Sequence, residues 1–552
     1  MIIGIYIAGS ILGIFLFTQI LSFIGKERLK NEIKSGWGQA PMTKLGVDQL
    51  NSVEIYWKMK QKYHPSKNIV DDGTWYDLDL ESVYRAVNRT YSSVGSEYLY
   101  GMMREIQLDT DKLTEFEKLT TFMTENPSER QKIQFHLAML GKKDHNQTAA
   151  YLYNARNYQL PNGSLYYVLG VLPILSLFLL FVNVYLGIGA LVACLLFNII
   201  TYYTKKEKVE RELNALNYIS GMIQAASQLS KIESPEKNQL TACYHKLKGA
   251  KKGASGVLTK TGTPETDFIV EYLNMLFLLP FINYQRVMKV LVKKEETLLE
   301  LWEILGRLDS ACGVASFRQQ LPYWTVPTFG QHAQVLAENV YHPLLSKPVA
   351  NPVDWQKNTL VTGSNASGKS TYVKSIALST ITAQTIHTAF AEEIQLKSSL
   401  VISSMAVEDS VFAGESYFIA EIKSLKRMIS QISPETTCLC FVDEILKGTN
   451  TIERISASAA IVHWLSQQNV LAFIATHDIE LTEILKNDCD NVHFRETVTD
   501  EDIFFDYQVH QGAATTRNAI KLLSLMEYPA EIIQLANNEA DQFIENSQWN
   551  VL

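Results

Sequence analysis

One segment of the chain has residue types and spacing fitted to phosphate chemistry. Gly363-Ser364-Asn365-Ala366-Ser367-Gly368-Lys369-Ser370 follows the pattern G-x-x-x-x-G-K-[ST], after a strand-like run at 358–362 and before a helix-like run from Thr371. Strand, glycine-rich loop and helix in that order are what a P-loop requires. Gly363 and Gly368 let the backbone curl so that N–H groups converge on the phosphates, and the helix N-terminus adds its positive dipole end. Residues 363–371, Gly363 through Thr371, are therefore the candidate nucleotide-binding set. Lys369 is expected to reach the β- and γ-phosphates and the Ser370 hydroxyl to ligate Mg2+, so ATP and Mg2+ are the expected cofactors. Further on, the apolar run 438–442 ends in Asp443 and Glu444. Asp443 is suited to hold Mg2+ and Glu444 to polarise an attacking water. A third apolar run, 470–476, ends at His477, which places an imidazole at the same sheet edge, where it can sense the γ-phosphate. Lys369, Glu444 and His477 are the candidate catalytic groups.

Parallel strands with helical crossovers are needed to bring those three ends together, and from about Pro322 the sequence has that α/β texture. Before it, residues 71–141 and 205–320 carry apolar residues three and four apart, which predicts helices. A chain of 552 residues exceeds a single hydrophobic core. Ile2 to Ile24 is free of charge and long enough to cross a bilayer. It lacks the basic start and small-residue cleavage site of a signal peptide. A second uncharged run, 157–204, is about twice that length and has Asn183 and Gly187 near the middle of its apolar stretch, which predicts a helical hairpin with a short turn. Lys26, Arg28, Lys30 and Lys34 follow the first run, Arg156 precedes the second, and Lys205, Lys206, Lys208 and Arg211 follow it. The positive-inside rule puts all these flanks in the cytoplasm.

The expected organisation is thus a transmembrane helix at 1–24, a cytoplasmic helical region at 25–164, a transmembrane hairpin at 165–204, a helical lever or core region at 205–321, and a P-loop ATPase domain at 322–552. About three membrane helices, at the cell membrane, would leave the ATPase domain in the cytoplasm.

A net charge of −8 argues against a chain coated in nucleic acid. Lys246, Lys248, Lys251, Lys252 and Lys260 read as a basic, glycine-containing loop, solvated or near anionic headgroups, with a nucleic-acid contact as the weaker alternative. The six cysteines are scattered and read as reduced thiols rather than metal ligands.

The segments TGSNASGKSTYVKSIAL, ESYFIAEI, FVDEILKGTNTIERISASAAIVHWL and ATHDIEL occur in an order and spacing that resemble the MutS family of ATPases. Asn365, the Gly448-Thr449 pair and the Thr476-His477 pair carry that likeness beyond P-loop proteins in general. LGRLDSACGVASF and NVYHPLL resemble the family's helical lever and the approach to its ATPase domain, and VNRTYSSVGSEYLYGMMREI the start of its helical core. The resemblance implies an ABC/MutS-like ATPase domain and a homodimer with shared ATP sites. Ser416, in Glu415-Ser416-Tyr417-Phe418, aligns with the serine presented in trans to the partner's γ-phosphate. A hairpin of VHFRETV and IFFDYQV, then a helical dimer-clasping tail, are implied at the C-terminus. The mismatch-reading domain is absent: Phe494-Arg495-Glu496 fits the letters of its Phe-x-Glu wedge but falls in the ATPase hairpin. The DNA clamp is missing as well, and Ser364 and Ala366 depart from the family's usual Pro and Met. Two functions follow: a membrane-tethered, DNA-directed ATPase related to mismatch repair, or a mechanical or signalling ATPase at the membrane that does not bind DNA. DNA is a candidate partner that no residue demonstrates by itself.

Overall fold

The computed structural model describes residues 19–20, 22–39, 47–143, 148–153, 163–254, 264–364, 367–405, 417–498, 503–514, 519–546 and 548–549. The chain divides into two compact units. One holds Met1–Lys67, Tyr84–Met102 and Glu115–Gln320, and the other Asn68–Val83, Met103–Thr114 and Leu321–Leu552. The second unit thus draws two short N-terminal stretches into the α/β region.

The helices before the α/β region are α1 (22–35), α2 (Val47–Tyr63), α3 (Asp72–Asp77), α4 (Leu80–Val87), α5 (Ser93–Met103), α6 (Thr110–Glu125), α7 (Pro127–Leu140) and α8 (Thr148–Tyr153). They continue with α9 (Ser164–Ser176), α10 (Val184–Leu229), α11 (Lys237–Ala254), α12 (Pro264–Phe277), α13 (Leu279–Lys293) and α14 (Glu295–Arg318). In the first unit α14 is the central rod, buried along nearly all its length from Leu298 onward. A helix buried on all sides needs every polar group satisfied. Asp309, fully buried on α14, meets that need by accepting from the Tyr91 N–H (3.0 Å), the Ser92 N–H (2.8 Å) and the Ser92 hydroxyl (2.5 Å). Gly95 permits the close approach, since a Cβ there would lie 2.2 Å from the Asp309 carboxylate. Trp302 stacks on Tyr56 with ring centroids 4.5 Å apart.

The expected hairpin is present. Ser164–Phe181 and Val184–Lys206 are long and apolar enough to cross a membrane, and the turn between them is capped by Asn183, whose side chain accepts from the Tyr185 and Leu186 N–H groups. Its apolar side chains point outward, Phe181 being 89% exposed. The described residues hold two such helices rather than three. All but the last few residues of the span expected at 2–24 lie outside the described residues, although Ile20, Phe23 and Ile24 are helical and exposed. With no proline in its length, α10 continues unbroken for 46 residues into the helical unit. The bend between α12 and α13 falls at Leu278, with φ 53° before Pro280, and packs against the hairpin. Tyr166 stacks on Phe281, and the buried Asn198 amide donates to the carbonyls of Leu169 (2.9 Å) and Leu276 (2.8 Å).

One expectation fails. Lys246, Lys248, Lys251 and Lys252 are on helix α11 rather than in a loop, and Lys246 lies 3.9 Å from Glu300; Lys260 lies outside the described residues. The glycines at 249 and 253 do not break the helix, because α11 packs along α10 and α14.

The second unit contains β1 (Thr328–Phe329), β2 (Val335–Val340), β3 (Asn351–Trp355), β4 (Asn358–Thr362), α15 (Lys369–Thr385), β5 (Glu393–Leu396), β6 (Leu400–Ser404), α16 (Tyr417–Ser430) and β7 (Cys438–Asp443). There follow α17 (Thr451–Ser466), β8 (Val470–Ala475), α18 (Glu480–Ile484), β9 (Cys489–His493), β10 (Glu496–Val498), β11 (Ile503–Phe505), β12 (His510–Gln511), α19 (Ala519–Leu525) and α20 (Ala530–Asn546). Among the described residues the main sheet runs β12-β9-β4-β8-β7-β6, with β12 alone antiparallel. Buried on both faces, β7 and β8 are near-continuous apolar runs without alternation, as parallel sheets require, and β4 between its neighbours is buried throughout. A smaller sheet, β1-β5-β2-β3, takes its strand β5 from between β4 and β6 of the main sheet, and β10 pairs with β11 as the expected hairpin. All six cysteines are free thiols.

Candidate nucleotide site

Strands β4, β8 and β7 are parallel neighbours, so their C-terminal ends open at one edge of the sheet. Each carries one expected group: the glycine-rich loop after β4, His477 just past β8, and Asp443 with Glu444 at the end of β7. Asp443 is in register with Ala475, and the Glu444 N–H donates to the Ala475 carbonyl at 2.9 Å. Glu444 sits at φ 61°, a sparsely populated conformation for a residue with a side chain. That turn aims its carboxylate at His477, with Oε1 3.1 Å from Nε2, while Oε2 is 2.9 Å from the Lys447 ammonium. The His477 hydrogen bond first, and then Lys447, hold the Glu444 carboxyl down to about 2 against the opposing effect of burial.

Gly363 and Gly368 adopt φ 140° and 104°, a region that favours glycine. A Cβ at Gly363 would also meet the Phe494 carbonyl at 2.6 Å. Lys369 is buried, and its ammonium donates to the carbonyls of Gly363 (2.7 Å) and Ser364 (2.8 Å), 3.5 Å from His477 Nε2. Burial draws it down to about 8, opposed by the fields of Asp443, Glu444 and Glu496. Ser367, Ser370 and Thr371 belong to the same loop and helix start, and Asn365, Ala366 and Ser416 lie outside the described residues. The Ser370 hydroxyl, at the start of α15 after β4, and the Asp443 carboxylate, at the end of β7, are hard oxygen donors at the same edge of the sheet. With phosphate oxygens and water they make a donor set of the Mg2+ type. No group of three or more metal-ligating His, Cys, Asp or Glu side chains occurs among the described residues.

A cavity of about 550 Å3 opens beside the loop, lined by His342, Lys347, Val349, Ser364, Lys369 and Tyr507 among others. Sequence reasoning missed its far wall. His342, in NVYHPLL, and Tyr507, in IFFDYQV, both lay within segments noted only for their resemblance. Tyr507 is set by Asn351, whose amide donates to the Tyr507 carbonyl (2.9 Å) and accepts from the Val509 N–H (2.8 Å). The side chains that steady the catalytic groups were missed as well. Arg454 on α17 grips Asp478 at 2.9 Å beside His477, and the buried Glu421 on α16 accepts from the Lys447 N–H at 3.0 Å.

A further cluster fixes the end of β6, where the chain leaves for residues 406–416. Asp77 on α3 accepts from the Ser403 hydroxyl (2.7 Å) and the Met405 N–H (3.0 Å), and Arg427 of α16 donates to Asp71 and to the Ser403 carbonyl.

Residues 359–544 match the sequence profile of MutS domain V. The chain is similar to the DNA mismatch repair protein MutS of Pseudothermotoga lettingae, with 29% identity over 48% of this chain and 34% of that protein. It is also similar to the DNA mismatch repair protein msh3 of Aspergillus oryzae (29% identity, 43% of this chain and 23% of that protein) and to msh3 of Aspergillus niger (28%, 44% and 23%). The chain spans about a third or less of the length of these relatives.

Proposed function

We propose, from the match of residues 359–544 to MutS domain V, the ATPase domain of the MutS family, that the chain is a membrane-anchored enzyme of that family that hydrolyses ATP with Mg2+ and couples the reaction to rearrangement of a homodimer. The observation that carries the chemistry is that His477 bridges the site at three adjacent strand ends, 3.5 Å from the Lys369 ammonium and 3.1 Å from the Glu444 carboxylate. Lys369 and the loop N–H groups bind the β- and γ-phosphates, and Ser370 and Asp443 hold the metal, which neutralises charge developing on the phosphates. Glu444, once released from His477 and Lys447, would orient the attacking water in line with the γ-phosphate, and His477 would stand beside that phosphate, where its imidazole can contact a phosphate oxygen.

Membrane attachment is supported by the outward apolar surface of the α9–α10 hairpin and by the lysines that follow it. In this reading the hairpin crosses the cell membrane and the ATPase domain is cytoplasmic. Reporters fused after Asn183 are expected outside, and after Gly141 or Leu552 inside; an external Leu552 reporter refutes the topology.

Ser416 is read as completing the partner's site. Mixing Lys369→Ala with Ser416→Arg subunits is then expected to restore activity that each variant lacks, because one mixed site keeps both intact residues. A mixture as inactive as its parts refutes shared sites.

The names of the relatives favour action on DNA. A second reading, a mechanical or signalling ATPase at the membrane that does not bind DNA, is favoured by the apolar hairpin and by a net charge of −8. Salt-dependent binding of duplex DNA by the detergent-solubilised protein decides between them.

A further inference from the structure

Phe494-Arg495-Glu496 resembles a DNA wedge in its letters, and the fold gives it a different place. The Phe494 N–H donates to the Thr362 carbonyl at 3.0 Å, so the segment is stitched to the strand that leads into the glycine-rich loop. The Phe494 ring is buried, 5.5 Å from Tyr372 on α15 in centroid separation, and its carbonyl occupies the space beside Gly363. Two residues on, Glu496 is 7% exposed, and its Oε2 accepts from the Ser364 hydroxyl at 2.6 Å. A buried carboxylate is therefore bonded to the second residue of the loop that must wrap the phosphates, within the electrostatic field of the Lys369 ammonium that must hold them.

From this geometry we propose that Glu496 is a specificity-determining residue that sets the balance between ATP and ADP by opposing the charge of the terminal phosphate. The inference rests on the ATPase reading of the same site. Lys369 is shared: Glu496 draws on the same cation as the incoming phosphates, and a phosphate entering beside a buried carboxylate meets like charge in a poorly screened place. ATP carries one more phosphoryl group than ADP and feels the penalty more strongly. A triphosphate must therefore loosen the Ser364–Glu496 bond to seat fully. Glu496 opens strand β10, so the work is delivered to the β10–β11 hairpin. ADP leaves the bond largely in place.

The test compares full-length protein in detergent, with Mg2+ and either a non-hydrolysable ATP analogue or ADP, by titration calorimetry. Glu496→Gln keeps the shape and can still accept from Ser364 while removing the charge. It is expected to tighten the triphosphate by roughly tenfold or more, as one unit charge at this range implies, and ADP by less than threefold. Glu496→Asp, which keeps the charge, is expected to keep the wild-type ratio. A purely structural role predicts the opposite, namely that Gln preserves the ratio, or that both nucleotides weaken together; either result overturns the assignment. A wild-type protein that bound neither nucleotide would overturn the ATPase reading, and this inference with it, whereas an unchanged ratio in Glu496→Gln overturns only the role of Glu496.

Discussion

Glu444→Gln separates binding from chemistry most cleanly. In the nucleotide-free protein the carboxylate is engaged on both oxygens, by His477 and Lys447. With its carboxyl held down to about 2 from 4.5, those partners favour the ionised form by ~3 kcal/mol. Folding stability from this group is present above pH 4.5 and is lost as the pH falls towards 2. Glu444 is therefore ionised in the nucleotide-free protein across the working range, and it enters the reaction as the charged base. Gln keeps the size and one acceptor oxygen but cannot take up a proton. Loss of a positioned base costs on the order of a hundredfold in turnover, equivalent to ~2.7 kcal/mol of barrier. Removing a negative charge near Lys369 leaves nucleotide affinity unchanged or tighter. Steady-state phosphate release gives kcat, and binding of a fluorescent ATP analogue gives affinity. Turnover within threefold of wild type, with the protein folded and ATP bound, would refute the assignment of Glu444.

Three further outcomes follow from other sites. Because burial draws Lys369 down to about 8, ATP affinity is expected to fall as the pH rises above 8, by up to about tenfold per pH unit; equal dissociation constants from pH 7 to 9.5 would refute a cationic Lys369 as the phosphate anchor. The same shift makes the folded, nucleotide-free protein gain stability from this group between about 8 and 10.5, where the unfolded chain binds the extra proton. Asp309→Ala strips the acceptor from buried donors at Tyr91 and Ser92 and is expected to destabilise the helical unit by ~3–5 kcal/mol. Hydrogen exchange of the amides in α5 reads that loss, and protection equal to wild type would show that the carboxylate is not holding the α5 start. Asp77→Ala frees the end of β6 at Ser403 and Met405; about a tenfold loss of kcat with little change in the KM for ATP is expected, and an unaltered kcat would argue against a role for this α3 contact in turnover.

Local chemistry was legible wherever function and backbone geometry demand the same residue. Gly363, Gly368, Lys369, Asp443, Glu444 and His477 fall at strand ends because phosphate binding needs that loop and that edge, and adjacent residues in the chain carry the pattern. The hairpin was legible because charge-free length has few other uses, and Asn183 caps its turn. Contacts that join distant segments left no such trace. Glu496 against Ser364, Asn351 under Tyr507 and Asp77 against Ser403 pair residues 132, 156 or more positions apart, and ordinary polar side chains at either end say nothing about the other. The lysines of α11 misled for a related reason. Local composition suggested a loop, while packing along α10 and α14 sustains a helix.

The unbroken run of α10 fixes an angle as well as a length. Over its 46 residues the rod reaches about 69 Å, and each residue turns the next by about 100°. The face that buries Tyr218, Ile219, Met222 and Ala226 in the helical unit is therefore phased to the face that carries Leu196, Phe197 and Ile200 outward from the apolar half. Deleting one residue between Tyr203 and Ala215 would rotate one half against the other by about a quarter turn, putting Asn198 out of reach of Leu276 on α12 while its bond to Leu169 turns with the hairpin. Deleting seven, close to two whole turns, would restore the phase while shortening the rod by about 10 Å. The helix behaves as a shaft whose azimuth is set at one end and read at the other.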